Sequence, residues 1–386
     1  MPHHPNIQSR PFFEAKPSDL ELQNLLDISK RVLSSGKYIL GEEVSAFEKR
    51  CSDYLSIKNT TGVSSGTDAL TLALLALDIG PGDEVICPAF SFVASASCIV
   101  RVGAIPVFCD VDPVYFTLDL NHLRSLTTEN TKAIIVVHLF GQMEDMNQIT
   151  SIAKKKDIPI VEDAAQAFGS QLSAENTQKH AGTFGTFGCF SFFPTKNLGG
   201  FGDGGLVVSN NQALLERIIS LRQHGRRSRD IFETVGGNFR LDALQAALLS
   251  YKLNMVEEER AIRNRYADIY THCLAPFSDE IQLPAIRDNS KHSFNQYIVR
   301  IKNGKRDELR SALASTGTPT MIYYKNTLPD QPCFANLKRM RKTLVPNCHA
   351  VCNDVLALPI CAKLPESDIK HHAGNLKRHI STKTRS

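Results

Sequence analysis

Phe190-Ser191-Phe192-Phe193-Pro194-Thr195-Lys196-Asn197-Leu198-Gly199-Gly200 sets one amine among apolar residues, with a hydroxyl five positions before it and a glycine-rich turn after it. Lysines are ordinarily solvated surface charges. In a partly apolar pocket, however, an amine loses the hydration that favours its charged form, which lowers its pKa and leaves more free base to condense with an aldehyde. Lys196 is therefore a candidate covalent anchor for an aldehyde cofactor, with Phe190, Phe192 and Phe193 as candidate pocket walls. The alternation Cys189-Phe190-Ser191-Phe192 reads as a buried strand. The following Gly199-Gly200-Phe201-Gly202-Asp203-Gly204-Gly205 predicts a tight, irregular backbone. Core packing accounts for the phenylalanines but not for a lysine among them.

The chain of 386 residues is long enough for a large domain and a smaller one. A formal charge of +4 calls for no nucleic acid and no membrane surface. The basic end, Lys377, Arg378, His379, Lys383 and Arg385, reads as a short solvated tail. Ten cysteines include no Cys-x-x-Cys pair, and Cys348 and Cys352 lack the neighbours of a zinc site, so no metal is expected. They read as reduced thiols of a cytoplasmic protein. Met1-Pro2-His3-His4-Pro5 lacks the apolar core of a signal peptide, and the apolar stretches fall short of the roughly 20 residues that span a bilayer. The pairs His3-His4 and His371-His372 do not match helical metal-ligand spacing and read as surface residues.

Apolar runs at 84–87, 106–109, 133–137, 159–161 and 206–208 predict buried strands. Helical patterns at 68–77, 145–155 and 212–222 lie among them. This order implies an α/β fold, a largely parallel sheet with helices on both faces. From about Leu253 the pattern changes to a long charged helix at 256–270, then a strand at 294–301 and a helix at 305–315. The expected division is a large domain with its N-terminal segment at 1–252 and a small α+β domain at 253–386. The polar segment 173–179 is assigned no function.

Ligands of open parallel sheets collect at the carboxyl ends of the strands, and three further signals fall there. Val63-Ser64-Ser65-Gly66-Thr67-Asp68 opens a helix, where backbone N–H groups and the dipole make a phosphate seat; Ser65 and Asp68 equally have N-capping spacing. Ile158-Pro159-Ile160-Val161-Glu162-Asp163-Ala164-Ala165-Gln166 ends a buried strand on an acid pair. Either carboxylate would serve as a helix cap, whereas an aspartate paired with a protonated pyridine nitrogen would strengthen a cofactor ring as an electron sink. In Cys87-Pro88-Ala89-Phe90-Ser91-Phe92, an aromatic side chain would either stack on a planar ring, worth about 0.5–1.5 kcal/mol beyond its burial, or belong to the core.

Together with Gly36-Lys-Tyr-Ile-Leu-Gly41, Gly80-Pro-Gly-Asp-Glu-Val85, His224-Gly225, Asn238-Phe-Arg240-Leu-Asp242 and Gln245-Ala-Ala247, these segments resemble the sugar aminotransferases of the DegT/DnrJ/EryC1/StrS family. The resemblance covers most of the first two-thirds of the chain. It implies the aspartate aminotransferase-like fold, fold type I, with pyridoxal 5'-phosphate as cofactor. By the resemblance, Lys196 carries the cofactor as a Schiff base, Asp163 meets the pyridine nitrogen, and Gln166 lies against the ring or its hydroxyl. Gly66, Thr67 and Ser191 match phosphate contacts, and Phe90 the ring-stacking position. Asn238 matches a phosphate contact from a neighbouring subunit, so a homodimer with shared sites is implied. Arg240 is expected on the nucleotide diphosphate and Tyr324 on the substrate side.

The implied reaction moves an amino group from an amino acid, L-glutamate above others, to a nucleotide-linked ketosugar, for cell-surface polysaccharide, lipopolysaccharide or other aminosugar biosynthesis. Phe193-Pro194-Thr195-Lys196-Asn197-Leu198-Gly199 with Gly202-Asp203-Gly204-Gly205 resembles members acting on UDP- or dTDP-linked 3-ketosugars more than those acting on 4-ketosugars. Tyr323-Tyr324-Lys325 stands where relatives commonly have His-Tyr-Pro, and Leu358-Pro359-Ile360-Cys361-Ala362 where they have Leu-Pro-Met-His-Pro. Tyr323 and Lys325 would thereby alter nucleotide or sugar contacts. The sugar dehydratases of this fold replace the anchoring lysine by histidine, and Lys196 opposes that class. A noncatalytic binding or regulatory protein would be expected to show an added domain or eroded site residues. A nicotinamide dehydrogenase is opposed by the lack of G-x-G-x-x-G after the first strand.

Overall fold

The computed structural model describes residues 10–174, 176–337 and 340–381. Its large sheet is built from β1 (Asn59–Val63), β2 (Glu84–Pro88), β3 (Ile105–Cys109), β4 (Thr131–Val137), β5 (Ile160–Asp163), β8 (Phe187–Ser191) and β9 (Gly205–Ser209), in the order β1-β9-β8-β5-β4-β2-β3. The pairs β2/β3, β2/β4, β4/β5 and β5/β8 are parallel, whereas β9 runs antiparallel to both β8 and β1. Only β9 is therefore reversed. The reversal follows from chain connection: the glycine-rich segment after β8 carries no crossover helix of the kind a parallel return needs.

The central strands are apolar on both faces because helices cover both. On one side, α3 (Gly66–Ala76) and α4 (Ala94–Arg101) bury Leu70, Leu74 and Ile99 against Val85, Ile135 and Val207. On the other, α2 (Glu42–Leu55), whose chain follows α1 (Asp19–Ser35), packs Val44 and Phe47 with Ile134 and Leu249. Each such fully buried side chain contributes about 1.5–3 kcal/mol relative to exposure.

Beyond the helix Ala243–Leu253, the charged helix Val256–Leu274 leads to a second, antiparallel sheet of Ile281–Gln282, Tyr297–Ile301 and Val355–Leu358. Helices Arg306–Ser315 and Glu366–Ser381 pack with it around Tyr270, Tyr297, Val299, Leu313, Leu356 and Leu376. Leu328, Phe334, Cys348 and Val351 instead join the core of the large sheet. Among the described residues no helix is long and apolar enough to cross a membrane.

Several sequence expectations are corrected. The polar segment 173–179, given no element from the sequence, is ordered as a hairpin: β6 (Gln171–Ala174) and β7 (Thr177–His180) pair antiparallel, and Ser290–Lys291 adds a third strand. Lys377, Arg378 and His379 lie within helix Glu366–Ser381 rather than in a solvated tail, because Ala373, Leu376 and Ile380 bury its apolar face; Lys383 and Arg385 fall outside the described residues. His372 is on that same face, fully buried 3.2 Å from the Thr318 hydroxyl, and burial pushes its imidazole down to about 4. His3 and His4 lie outside the described residues. None of the glycines at 199–205 adopts a left-handed conformation. Their smallness serves close approach: a Cβ at Gly199 would fall 2.4 Å from the Pro194 carbonyl oxygen.

The same geometry predicts opposite outcomes at two glycines. A Cβ at Gly188 would fall 2.0 Å from the Gly182 carbonyl oxygen, so Gly188→Ala should destabilise by about 1–3 kcal/mol. Exposed Gly374 has nothing within 4 Å and sits inside a helix, so Gly374→Ala should stabilise by about 0.5–1 kcal/mol. Urea denaturation checks both, and a Gly188→Ala midpoint equal to the parent's would contradict the packing.

Candidate active site

A cavity of about 810 Å³ opens where the carboxyl ends of β5 and β8 meet the start of α3, and both Lys196 and Asp163 line it. Strand alternation decides which side chains reach it. Phe190 and Phe192 turn into the core, at 1% and 0% exposure, while Ser191 turns toward the cavity. The expected phenylalanine pocket is thus reduced to Phe193. Lys196 follows in a turn, its N–H donating to the Phe193 carbonyl at 2.9 Å. Burial holds its amine below the usual lysine range, and the nearby Asp163 charge opposes that shift without cancelling it.

The acid pair at the end of β5 divides between the two faces of the sheet. Glu162 is fully buried, with Oε2 2.8 Å from His138 Nε2, and its oxygens accept from the N–H groups of Gly182 (2.9 Å) and Phe184 (2.7 Å). It pins the turn before β8 and caps no helix. Asp163 Oδ2 accepts from Ser95 Oγ at 2.7 Å, and Oδ1 accepts from the Ala165 N–H at 3.2 Å. Burial raises its pKa; the Ser95 and Ala165 hydrogen bonds and then the Lys196 charge pull it down. An uncompensated buried carboxylate is costly, so a cationic ring nitrogen is a suitable remaining partner.

Gln166 lines the cavity with its oxygen already accepting from the Phe140 N–H at 2.8 Å and its amide nitrogen donating to the Tyr324 hydroxyl at 3.1 Å. One amide N–H and one carbonyl lone pair remain free, so it can meet a ring hydroxyl as donor or acceptor. Tyr324 also lines the cavity, as does Tyr323, whereas Lys325 does not.

At the start of α3, Ser65 accepts from the Asp68 N–H at 3.1 Å and donates to Asp68 Oδ2 at 2.9 Å, so the capping reading holds. The anion seat coexists with it: Ser65, Gly66, Thr67 and Ser191 all line the cavity, and first-turn N–H groups have no intrahelical acceptor. A Cβ at Gly66 would lie 2.7 Å from Ser191 Cβ, so this glycine lets α3 approach β8 closely.

Phe90 is a correction. It is 1% exposed and packs edge-on against Phe140 and Tyr324 in the core, whereas Phe92, 54% exposed, lines the cavity. The alternation Phe90-Ser91-Phe92 carried that signal, since residues two apart need not share a fate once the strand ends at Pro88. Asn238 and Arg240 do not line the cavity of their own chain; their backbones bridge to Gln223 and Val63. Asp203, which the sequence marked only as part of the glycine-rich stretch compared for the substrate class, lines it, as do Asn295 and Gln296, which no sequence signal marked.

An amine with depressed pKa, a buried carboxylate, a donor amide, a free aromatic face and a helix-start cradle fit a phosphorylated pyridine aldehyde. Residues 21–377 match the model of the DegT/DnrJ/EryC1/StrS aminotransferase family. The chain is 40% identical to a pleiotropic regulatory protein of Geobacillus stearothermophilus, over 93% of each chain. It is 38% identical to the UDP-2-acetamido-2-deoxy-3-oxo-D-glucuronate aminotransferase of Pseudomonas aeruginosa, over 93% of this chain and 97% of that one. The crystal structure of Streptomyces venezuelae DesV in complex with a ketimine intermediate superposes with a TM-score of 0.91 at 35% identity, covering 96% of this chain and 98% of that one. With the match spanning both sheets and every part of the cavity, the chain belongs to the DegT/DnrJ/EryC1/StrS aminotransferase family.

Proposed function

We propose that this chain is a pyridoxal phosphate-dependent aminotransferase that moves an amino group from an amino acid, L-glutamate first among candidates, to a nucleotide-linked 3-ketosugar in aminosugar biosynthesis. The observation that carries the reading is the placement of the Lys196 amine and the Asp163 carboxylate on one cavity. When bound, the cofactor supplies an aldehyde for condensation with amines and a ring that withdraws electrons. Lys196 would hold it covalently and, once its amine is freed by the incoming one, its Nζ would take up the proton from the donor's Cα. Asp163 keeps a proton on the ring nitrogen, Gln166 donates to the ring hydroxyl, and Phe92 covers the ring. Gly66, Thr67 and Ser191 hold the phosphate.

The 3-keto acceptor is favoured over a 4-keto acceptor by the residues flanking Lys196 and by the 3-oxo substrate in the name of the Pseudomonas relative. Intact Lys196 and Asp163 favour catalysis over a purely regulatory role. Ten cysteines without a disulfide suit the cytoplasm.

Charge also supports a homodimer with shared sites. Lys196 is the one cationic side chain among the described lining residues, and it is committed to the chemistry. A nucleoside diphosphate needs further positive charge. Arg240, with its buried Nε lacking a partner, and Asn238 lie outside their own cavity, beside a hairpin exposing Ile231, Phe232 and Val235. A second copy of the chain would bring Asn238 to the phosphate and Arg240 to the diphosphate.

Transfer of ¹⁵N from labelled glutamate to a UDP- or dTDP-linked 3-ketosugar, followed by mass spectrometry, tests the reaction. The parent should transfer label and Lys196→Ala should lose at least about 10²–10⁴-fold in rate; a folded, cofactor-loaded parent that labels no nucleotide ketosugar would overturn the reading. For the shared site, heterodimers of Lys196→Ala and Asn238→Ala chains should regain activity, because one of their two sites is intact. Dimeric heterodimers as inactive as both parents would contradict it.

A further inference from the structure

Asp163 owes its setting to a pair of hydroxyls, those of Ser91 and Ser95. Ser95, in the first turn of α4, is fully buried, with Oγ 2.7 Å from Asp163 Oδ2 and 2.9 Å from Ser91 Oγ. An ionised carboxylate only accepts, and a hydroxyl has a single proton. Ser95 therefore donates to Asp163 and must accept from Ser91, which fixes the direction of the whole chain from Ser91 through Ser95 to Asp163. Ser91 in turn lines the cavity, so the chain begins at the ligand surface and ends at the carboxylate.

We propose that Ser95 is a positioning residue for the reaction: its hydroxyl holds Oδ2 of Asp163, fixing the carboxylate plane and leaving Oδ1 to the cofactor's ring nitrogen. The inference rests on the reading of Asp163 as partner of that nitrogen. Without Ser95, the N–H of Ala165 at 3.2 Å is the remaining hydrogen bond to the carboxylate among the described residues, and the carboxylate is free to turn about its side-chain torsion. Burial already favours its neutral form, and a hydrogen bond donated to the charged form works against that. A neutral acid cannot hold a proton on the ring nitrogen as an ion pair. Ser91 acts one step further away, by donating the hydrogen bond that Ser95 accepts.

The test compares two ligands: pyridoxal phosphate and its 1-deaza analogue, in which C–H replaces the ring nitrogen. Each is titrated into cofactor-depleted parent, Ser95→Ala, Ser95→Thr and Asp163→Asn proteins, with circular dichroism confirming the fold. The readout is the ratio of the two dissociation constants, because a general loss of packing raises both constants alike and leaves their ratio unchanged. The parent should prefer pyridoxal phosphate by roughly tenfold or more, the range of one charge-assisted hydrogen bond. Ser95→Ala should lose most of that preference, Ser95→Thr should keep it, and Asp163→Asn should abolish it. A parent-like ratio in Ser95→Ala, with Asp163→Asn still abolishing the preference, would overturn the role of Ser95 alone. Equal affinities in the parent would overturn the Asp163 reading and the inference together.

Discussion

A carboxylate buried at the end of a central parallel strand is the constraint on which the rest of the structure depends. Asp163 cannot point into the cavity unless β5 is buried on both faces, and it cannot stay charged there without compensation. Ser95 and the Ala165 N–H supply two hydrogen bonds, and Lys196 places an amine on the same cavity. That amine is itself held down by burial. The cavity thus carries two groups whose pKa values are each shifted by burial, and a ring with a basic nitrogen and an aldehyde would relieve both. Glu162, one residue earlier, faces the opposite way and locks the turn that leads into β8, so the strand end positions the acid and braces the lysine's strand together.

The reversal of β9 has a related consequence. Because the chain turns back directly after Lys196, the glycine-rich return packs on the Pro194 carbonyl and on Gln245, and the lysine sits in a short segment fixed at both ends. A crossover helix there would have moved the amine away from β5. Across the cavity, α3 approaches β8 at the contact that only a glycine at position 66 allows. The start of α3, where the phosphate is proposed to sit, and the amine are therefore tied to the same strand.

How legible this was in the sequence depended on the range of the interactions. The sheet strands were readable because burial on both faces makes them continuously apolar, as in β4 and β9. Lys196, Asp163, Gln166, Gly66, Thr67 and Ser191 were singled out from segments whose order matches a family, and Tyr324 from a stretch that departs from it; all of them line one cavity. Phe90 was misread because the strand's alternation ends at Pro88, and the chain then turns Phe92 rather than Phe90 outward. His372 was misread because pairwise spacing says nothing about which helix face is apolar. The 173–179 hairpin needed a third strand from residues more than a hundred positions later, which local pattern cannot supply. Ser95 is one serine among several in its segment, and only the fold puts it against Asp163.

Borohydride reduction of the loaded protein followed by peptide mapping tests the central assignment most directly, because it reports the covalent anchor independently of any sugar substrate. The account predicts that the pyridoxyl mass is found on the peptide containing Lys196, that it is lost in Lys196→Ala, and that it forms at a lower pH than on exposed lysines, since burial holds this amine's pKa down. A pyridoxyl group found stoichiometrically on another lysine, with Lys196 unmodified, would contradict it.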